Sequence, residues 1–240
     1  MVFLSSQTII IIIIISCILY YLHQFFKKKS TEYSSKVYWE GRYSWFTQRM
    51  DWYTNYTQLN QDFKIENIIK NKYTHNCYKK RILELGCGNS TLSSDLYKSG
   101  FKNITAIDFS TTIIKKMSEI YSNTPINFKV CDFNSMDLFF EEKSFDIIIE
   151  KAGLDSIATK GTKDVPNLLY KICRNIHYVL SNEGIVFSFS SKNTDFWKNN
   201  VYNRLEKEKL FEVVETKKTI FRTKGKDYNM NLYFSYLKKI

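Results

Sequence analysis

The feature that most constrains the fold is a regular alternation of short apolar runs and amphipathic segments from Arg81 onward. Runs typical of strands lie at residues 81–85, 104–108, 127–131, 144–149 and 185–190. Segments with apolar residues at helical spacing lie between them, at 90–99, 110–122 and 165–180. Alternation of this kind is typical of a parallel sheet with helices on both faces. We therefore predict an α/β fold with a doubly wound, Rossmann-like sheet.

The C-terminal part follows a different pattern. After a helix predicted near 196–209, two long β-rich runs cover 211–222 and 228–237, and Gly225-Lys226-Asp227 lies between them. Such a pair predicts an antiparallel hairpin rather than another helical crossover. The complete sheet is therefore predicted to have seven strands.

An apolar run precedes this domain. Residues 2–22 reach the about 20 residues that a membrane span needs, and Lys27-Lys28-Lys29 follow them. No basic residue precedes the run, so the positive-inside bias places the rest of the chain on the cytoplasmic side. These features predict an N-terminal hydrophobic helix that serves as a single-pass membrane anchor over 1–26, a basic polar linker over 27–36, and one domain over 37–240 that faces the cytoplasm.

The N-terminal run also allows two rival interpretations. A cleaved secretory signal would need a basic start and a small-residue cleavage site, and neither is present. A buried core helix accounts poorly for seven consecutive isoleucines. The alternative location is cytoplasmic or organellar, after N-terminal processing.

Composition limits the function classes. The 240 residues suffice for one full domain, and 44% hydrophobic residues exclude wholesale disorder. The net charge of +11 suits an acidic partner, a nucleic acid or an anionic membrane, although a lysine-, asparagine- and isoleucine-rich composition accounts for it more simply. Five cysteines and three histidines form no metal-binding spacing, so we assign no metal. The odd number and wide spacing of the cysteines fit a reducing compartment.

A glycine turn marks the candidate site. Gly86-Cys87-Gly88 follows the first predicted strand, where glycines let the backbone approach a ligand. Asp108 comes at the end of the second strand, where a carboxylate accepts hydrogen bonds from ribose hydroxyls. The dinucleotide fingerprint requires glycine at position 91, which is Thr91. The spacing therefore favours a nucleoside ligand that lacks a pyrophosphate.

Charged and aromatic residues follow the next two strands. Asp132 after the third strand is placed to accept from the amino group of an adenine, and Phe133 to pack near its face. Glu150 and Lys151 end the fourth strand, at the edge where ligands of open α/β sheets bind.

Together these residues resemble the class I S-adenosylmethionine-dependent methyltransferases. More narrowly, the chain is similar to the family of methyltransferase-like protein 13 and the elongation factor 1-alpha lysine methyltransferases. The matching residues are Tyr38-Trp39-Glu40, Arg42-Tyr43, Asp51-Trp52-Tyr53, 82–93, Ile107-Asp108-Phe109-Ser110, Asp132, Met136, Ser144-Phe145-Asp146, Glu150-Lys151 and Leu154-Asp155.

The resemblance implies S-adenosylmethionine as cofactor and ten residues that line its site. They are Trp39, Tyr43 and Trp52 on the N-terminal side, Gly86 at the methionine end with Gly88 in the same turn, Asp108 and Phe109 at the ribose, Asp132 and Phe133 at the adenine, and Lys151 on the floor.

The same resemblance implies N-methylation of a lysine in a protein substrate. Two local departures affect the substrate-facing loop: the family's Lys-Gly-Thr-Leu-Asp is Lys-Ala-Gly-Leu-Asp over 151–155, and its Pro-Gly-Gly is Asn182-Glu183-Gly184. Glu150 or Asp155 is a candidate to orient the acceptor amine, and we assign neither a catalytic base nor an oligomeric state.

Three alternative functions differ in how well the sequence fits them. Nucleic-acid amino-methyltransferases usually carry an Asn/Asp-Pro-Pro-aromatic turn after the fourth strand, which this chain lacks, so no nucleic-acid partner is expected. Methylation of a small molecule or lipid at the membrane is an alternative that the anchor would favour. A catalytically silent, tethered scaffold of the same fold is the other.

Overall fold

The computed structural model describes residues 11–21, 33–45, 49–222 and 229–240, and the structural statements below concern these ranges. Most of the predicted linker and the predicted Gly225-Lys226-Asp227 turn lie outside them. The Lys27-Lys28-Lys29 cluster, on which the predicted orientation in a membrane depends, also lies outside the described residues.

The N-terminal apolar run contributes helix α1, over residues 11–21, whose side chains are exposed. Within the described ranges, no helix combines the length and the apolar character needed to cross a membrane. The prediction of a single-pass membrane anchor, with its cytoplasm-facing topology, is therefore wrong, and the membrane partner that depended on it has no support.

The sheet has seven strands in the order β3-β2-β1-β4-β5-β7-β6. The strands β1 to β5 are parallel, and β7 runs antiparallel between β5 and β6. This arrangement confirms the predicted doubly wound sheet and its terminal antiparallel pair. The strands are β1 Arg81–Leu85, β2 Asn103–Asp108, β3 Asn127–Val130, β4 Phe145–Lys151, β5 Leu180–Ser190, β6 Phe211–Arg222 and β7 Asn229–Lys239.

Helices cover both faces of the sheet, and short 3₁₀ segments at Thr74–Lys79 and Phe133–Ser135 and a π-helical turn at Lys198–Tyr202 join them. The α-helices after α1 are α2 Lys36–Trp45, α3 Tyr56–Phe63, α4 Ile65–Tyr73, α5 Leu92–Lys98, α6 Thr111–Ile120, α7 Met136–Phe139, α8 Gly153–Ala158, α9 Val165–Val179, α10 Thr194–Trp197 and α11 Asn203–Lys207.

The core lies on both faces of the parallel strands. Along β1, Ile82 packs into one hydrophobic cluster and Leu83 into the other, and along β4 Ile147 and Ile148 divide in the same way. Side chains of a strand alternate between faces, so a strand buried on both sides is apolar throughout. This explains why the strand runs are continuous in the sequence, and it holds the strand ends rigidly in place.

Two helix starts illustrate where local patterns succeed and fail. The Ser110 side chain accepts a hydrogen bond from the Ile113 amide, as expected of an N-cap. The cap predicted at Asn89 or Ser90 is wrong, because α5 begins only at Leu92. The Ser90 hydroxyl still accepts from the Leu92 amide at 3.1 Å, and it donates to Asp51, which lies outside the sheet and 39 residues earlier in the chain.

Candidate functional site

A cavity of about 380 Å³ opens at the carboxyl ends of the five parallel strands. It lies where the strand order changes direction, between β1 and β4, which is the usual ligand position in open α/β sheets. Its volume is typical of a site for a small molecule. All ten residues predicted to line a cofactor site also line this cavity: Trp39, Tyr43, Trp52, Gly86, Gly88, Asp108, Phe109, Asp132, Phe133 and Lys151.

The turn after β1 brings backbone to the cavity surface. Gly86 and Gly88 both have positive φ, +67° and +48°. A Cβ on Gly88 would lie 2.8 Å from the Tyr43 hydroxyl, and one on Gly86 would lie 3.1 Å from the Phe133 ring. Both the backbone conformation and the close approach of the aromatic side chains therefore require glycine here.

Asp108 closes this turn through both of its carboxylate oxygens. One accepts a hydrogen bond from the Gly88 amide at 3.0 Å and the other from the Ser110 amide at 2.9 Å. Burial, which outweighs these hydrogen bonds, raises the pKa of Asp108 to about 6. The carboxylate is thus fixed in position and available as an acceptor near neutral pH.

An aromatic wall of Tyr33, Trp39, Tyr43 and Trp52 covers the N-terminal side of the cavity. Trp39 stacks on Tyr43 with ring centroids 5.4 Å apart, and Trp52 packs edge-on to Trp39 at 5.9 Å. The Trp39 indole N–H donates to the Tyr33 carbonyl at 2.7 Å. These contacts fix rings from separate segments of the chain into one apolar surface.

Glu40 anchors the aromatic wall to the sheet. Its carboxylate accepts from the Thr111 amide at 2.8 Å, the Ser110 hydroxyl at 2.9 Å and the Thr112 amide at 3.2 Å. Partial burial is the largest single influence and raises the pKa of Glu40, but these hydrogen bonds together hold it below its usual range. Since α6 starts directly after the Asp108 turn, α2 and this turn are held as one unit.

Lys151 is neutralised by a residue to which the sequence assigned no role. Its ammonium lies 2.8 Å from an Asp51 carboxylate oxygen and donates to the Thr54 carbonyl at 3.0 Å. Burial acts to raise the pKa of Asp51, but the charge and hydrogen bond of Lys151 outweigh it and lower that pKa. Lys151 therefore holds the segment before α3 against the end of β4.

Two buried glutamates lie beneath the cavity. Burial raises the pKa of Glu84 to about 7, although the Ser93 hydroxyl donates to it. Burial and the nearby Asp155 charge raise the pKa of Glu150 to about 8, although the Leu154 amide and the Ser188 hydroxyl both donate to it. Burial therefore favours the uncharged form of Glu150.

Another part of the cavity lining is organised around Asp155, which is buried near the start of α8. Tyr53 donates its hydroxyl proton to one oxygen of Asp155, and Ser190 donates to the other. Ser191 adds its amide at 2.7 Å and its hydroxyl at 2.8 Å. Four donors thus occupy the carboxylate. We refer to Tyr53, Asp155 and Ser191 as the acceptor end.

Tyr53 adopts a backbone conformation that is rare for a bulky residue, with φ +68°. Burial and the adjacent Asp155 raise the pKa of its hydroxyl, so the group keeps its proton. Strained conformations persist where the surrounding contacts determine them, and they are frequent at functional sites.

The two departures from the family pattern also place non-glycine residues at positive φ. Ala152 has φ +71° and Glu183 has φ +61°, at positions where that pattern has glycine. Gly153 keeps an ordinary conformation, but a Cβ there would lie 3.1 Å from the Phe133 ring. In the loop after β4, the backbone is therefore strained at Ala152 and unstrained at Gly153.

Sequence reasoning missed Asp51, Tyr53 and Ser191 as site residues. Asp51 and Tyr53 stand next to Trp52 in the matching series, so their neighbourhood gave a signal without a role. Ser191 gave none, because its importance depends on the distance between the ends of β4 and β5.

The residues of this cavity fit S-adenosylmethionine. The side-chain-free cradle at Gly86 and Gly88 admits a ligand against the backbone, and Asp108 supplies a fixed acceptor. The aromatic wall and Phe133 supply apolar surface for a nucleoside. The assignment of these residues to the cofactor stays a prediction.

Comparison with known proteins agrees with this geometry. The sequence pattern of a family described as "Methyltransferase domain" matches residues 78–234. Mouse EEF1A lysine methyltransferase 4 is 29% identical over 157 residues, which cover 64% of this chain and 57% of that protein. Mouse eEF1A lysine and N-terminal methyltransferase is 32% identical over 136 residues, 55% of this chain and 18% of that protein. The chain thus spans less than two thirds of each relative.

Solved structures show the same fold. A SAM-dependent methyltransferase from Methanosarcina mazei superposes with a TM-score of 0.55 at 17% identity, covering 72% of this chain and 97% of that chain. The N-methyltransferase NodS from Bradyrhizobium japonicum, in complex with S-adenosyl-L-homocysteine, superposes with a TM-score of 0.52 at 12% identity, covering 78% and 89%. At these identities the likeness concerns the fold alone.

Proposed function

Since the chain belongs to the methyltransferase domain family, we propose that it transfers a methyl group to the side-chain amine of a lysine in a protein substrate. The observation that carries this proposal is the Tyr53–Asp155 pair, which lies in the same cavity as Gly88 and Asp108. One end of the cavity suits the cofactor and the other suits an amine.

Family membership confirms the predicted class, an S-adenosylmethionine-dependent methyltransferase, and the predicted cofactor. When bound, S-adenosylmethionine supplies an electrophilic methyl group. In the proposed assignment the Gly86–Gly88 turn, Asp108 and the aromatic wall hold it. The chain's own task is to align a nucleophile with that methyl group and to exclude water.

The charges at the acceptor end favour a cation. Lys151 is paired with Asp51, and burial together with the nearby Asp155 charge raises the pKa of Glu150 and favours its uncharged form. No ion pair found within the described ranges includes Asp155. The Asp155 carboxylate therefore attracts an ammonium group in this partly desolvated site, although the cations Lys160 and Lys192 also line the cavity.

The hydrogen bonds at the acceptor end favour a donor. A hydroxyl has one proton to donate and two lone pairs that accept. Because Tyr53 donates its proton to Asp155, its lone pairs remain to accept from an amine N–H. A carboxylate substrate, which has only acceptors, would be repelled here. The arrangement therefore distinguishes amine acceptors from anionic ones.

The lysine must lose a proton before it can attack. From a free pKa of about 10.4, this costs between about 4 and 5 kcal/mol at neutral pH. Asp155 is poorly suited to take that proton, because four donors already occupy its oxygens. We therefore assign Asp155 and Tyr53 to orientation of the amine, which directs its lone pair to the methyl group.

The relatives indicate where to look for a substrate. The proteins to which the chain is about 30% identical are named as methyltransferases of eEF1A lysine. We therefore take eEF1A as the first candidate acceptor. A membrane lipid acceptor loses its motivation, since the predicted anchor on which it rested is wrong.

The proposal is tested by incubating the full chain with methyl-labelled S-adenosylmethionine and either a whole lysate or purified eEF1A. We expect the label in protein and, after acid hydrolysis, in methyllysine. Asp108→Ala should abolish both cofactor binding and labelling. Labelling confined to the lipid fraction, or methylation of protein at residues other than lysine, would overturn the proposal.

A further inference from the structure

A second depression continues from the acceptor end of the cavity. It has a volume of about 420 Å³ and shares Ser191, Lys192 and Met230 with the first cavity. We call its lining residues the outer groove; they come from the end of β5, the start of α10 and β7, and are Ser191, Lys192, Asn193, Phe196, Met230, Asn231 and Tyr233. Because the two cavities share residues, a chain whose side chain enters the first lays its neighbouring residues over the second.

The outer groove is basic. Lys192 is its charged lining residue, and its ammonium nitrogen lies 5.7 Å from the Phe196 ring centroid. Lys218 of β6 places its ammonium nitrogen 5.7 Å from the ring centroid of Tyr233, another lining residue. Within the described ranges, neither lysine takes part in an ion pair, and the lining residues include no carboxylate.

These charges impose a condition on the acceptor. Lys192 also borders the first cavity, where it repels the ammonium group that Asp155 attracts. A substrate that brings its own carboxylates beside the lysine neutralises Lys192 and Lys218 and removes this repulsion. A substrate with neutral neighbours does not. Asp155 inside the cavity, with Lys192 and Lys218 at its edge, therefore discriminates against acceptor lysines whose neighbouring residues are neutral or basic.

We infer that the outer groove binds the residues flanking the acceptor lysine and selects lysines with acidic neighbours. This inference rests on the proposed lysine methylation and adds the sequence context of its substrate. The remaining lining residues suit an extended polypeptide, since the side chains of Asn193, Asn231 and Tyr233 carry groups that can bond a peptide backbone.

The test measures the affinity of the full chain, saturated with S-adenosylhomocysteine, for two fluorescent peptides. One peptide has a single lysine between pairs of glutamates, and the other has glutamines in their place. We expect about tenfold tighter binding of the glutamate peptide, by fluorescence anisotropy at a fixed salt concentration. The double variant Lys192→Glu/Lys218→Glu should lose or reverse this preference.

A matched control separates the groove from the overall charge. Lys115 and Lys207 are exposed on α6 and α11, and Lys115→Glu/Lys207→Glu changes the net charge by the same amount. This control should keep the preference for glutamate. Equal affinities of the two peptides for the unaltered chain, or equal loss of the preference in both double variants, would overturn the inference.

Methyl transfer to the same peptides distinguishes this inference from the proposed function. Equal transfer to both, with equal KM, would remove the role of the outer groove and leave lysine methylation standing. A chain that binds the cofactor but forms no methyllysine on either peptide or on eEF1A would contradict lysine methylation itself. A lower KM for the glutamate peptide in the unaltered chain alone would support both.

Discussion

The hydrogen bond that closes the glycine turn at the cofactor end joins residues close in sequence, whereas the central hydrogen bond of the acceptor end joins residues far apart. Gly88 and Asp108, which share a hydrogen bond, are 20 positions apart, while Tyr53 and Asp155 are 102 apart. The cofactor end also depends on backbone, through the Gly86–Gly88 turn, and the acceptor end on side chains. A backbone cradle can serve one cofactor across many enzymes, and side chains can vary with the substrate.

The largest effect is expected from a substitution at Gly88, in the cofactor end. In Gly88→Ala, the new Cβ would meet the Tyr43 hydroxyl at 2.8 Å in a backbone conformation with φ +48°, so we expect affinity for S-adenosylmethionine to fall by about 100-fold or more. Isothermal titration calorimetry measures this.

The matched control for that substitution is Gly41→Ala, in α2, where a Cβ would meet no atom within 4 Å. It should leave the affinity unchanged and stabilise the helix by about 0.5–1 kcal/mol. A Gly88→Ala protein that binds normally would show that the cradle is not the cofactor site.

The acceptor end is separated from the cofactor end by Tyr53→Phe. Removing the hydroxyl leaves the ring in place but deletes the acceptor for the amine and one donor to Asp155, so we expect kcat for lysine methylation to fall by about 10- to 100-fold. Cofactor affinity should stay within about twofold.

Tyr56→Phe controls for the loss of a buried tyrosine hydroxyl, because Tyr56 donates to Glu66 outside the cavity. It should keep normal kcat and KM. If Tyr53→Phe instead weakens cofactor binding and spares kcat, the division of the cavity into two ends is wrong.

The affinity of the cofactor end for its ligand should also depend on pH. Asp108, with a pKa of about 6, is an acceptor above that pH and gains a proton below it. Cofactor affinity should therefore hold above pH 7 and fall by about tenfold between pH 7 and pH 5. Asp108→Asn should bind weakly without this slope, and a slope that persists in this variant would assign the titration to another group.

The smallest effect concerns Ala152, which lines the cavity and has a φ of +71°. Ala152→Gly should relieve the strain and raise the free energy of unfolding by about 0.5–1 kcal/mol, measured by urea titration. Ala158, in the last turn of α8, provides the opposite case: Ala158→Gly should lower it by a similar amount. Destabilisation by both changes would show that Ala152 is not strained.

Local pattern was sufficient for most strands and for the cofactor end. The strand predicted at 81–85 is β1, and the run at 211–222 is β6, with the same bounds. It was insufficient near 196–209, where a single predicted helix is replaced by α10, the π-helical turn at Lys198–Tyr202 and α11. Apolar spacing alone does not reveal such interruptions.

The N-terminal run shows the opposite failure. Seven consecutive isoleucines and the lysines after them suggested a membrane span, because hydropathy counts apolar residues along the chain without reference to the fold. Within the ranges that the structure describes, no helix is long and apolar enough to cross a membrane, which contradicts that prediction.

By itself, the sequence determined the order of the parallel strands along the chain, the glycine turn and the carboxylate at Asp108, since each depends on neighbours a few positions away or on strand periodicity. Only the tertiary structure decided that Asp51 neutralises Lys151 and that Tyr53 and Ser191 converge on Asp155. Asp51 and Lys151 are 100 positions apart in sequence, Tyr53 and Asp155 are 102 apart, and Ser191 and Asp155 are 36 apart. Their geometry follows from packing of the segment before α3 against the ends of β4 and β5. Spacing along the chain carries no record of that packing.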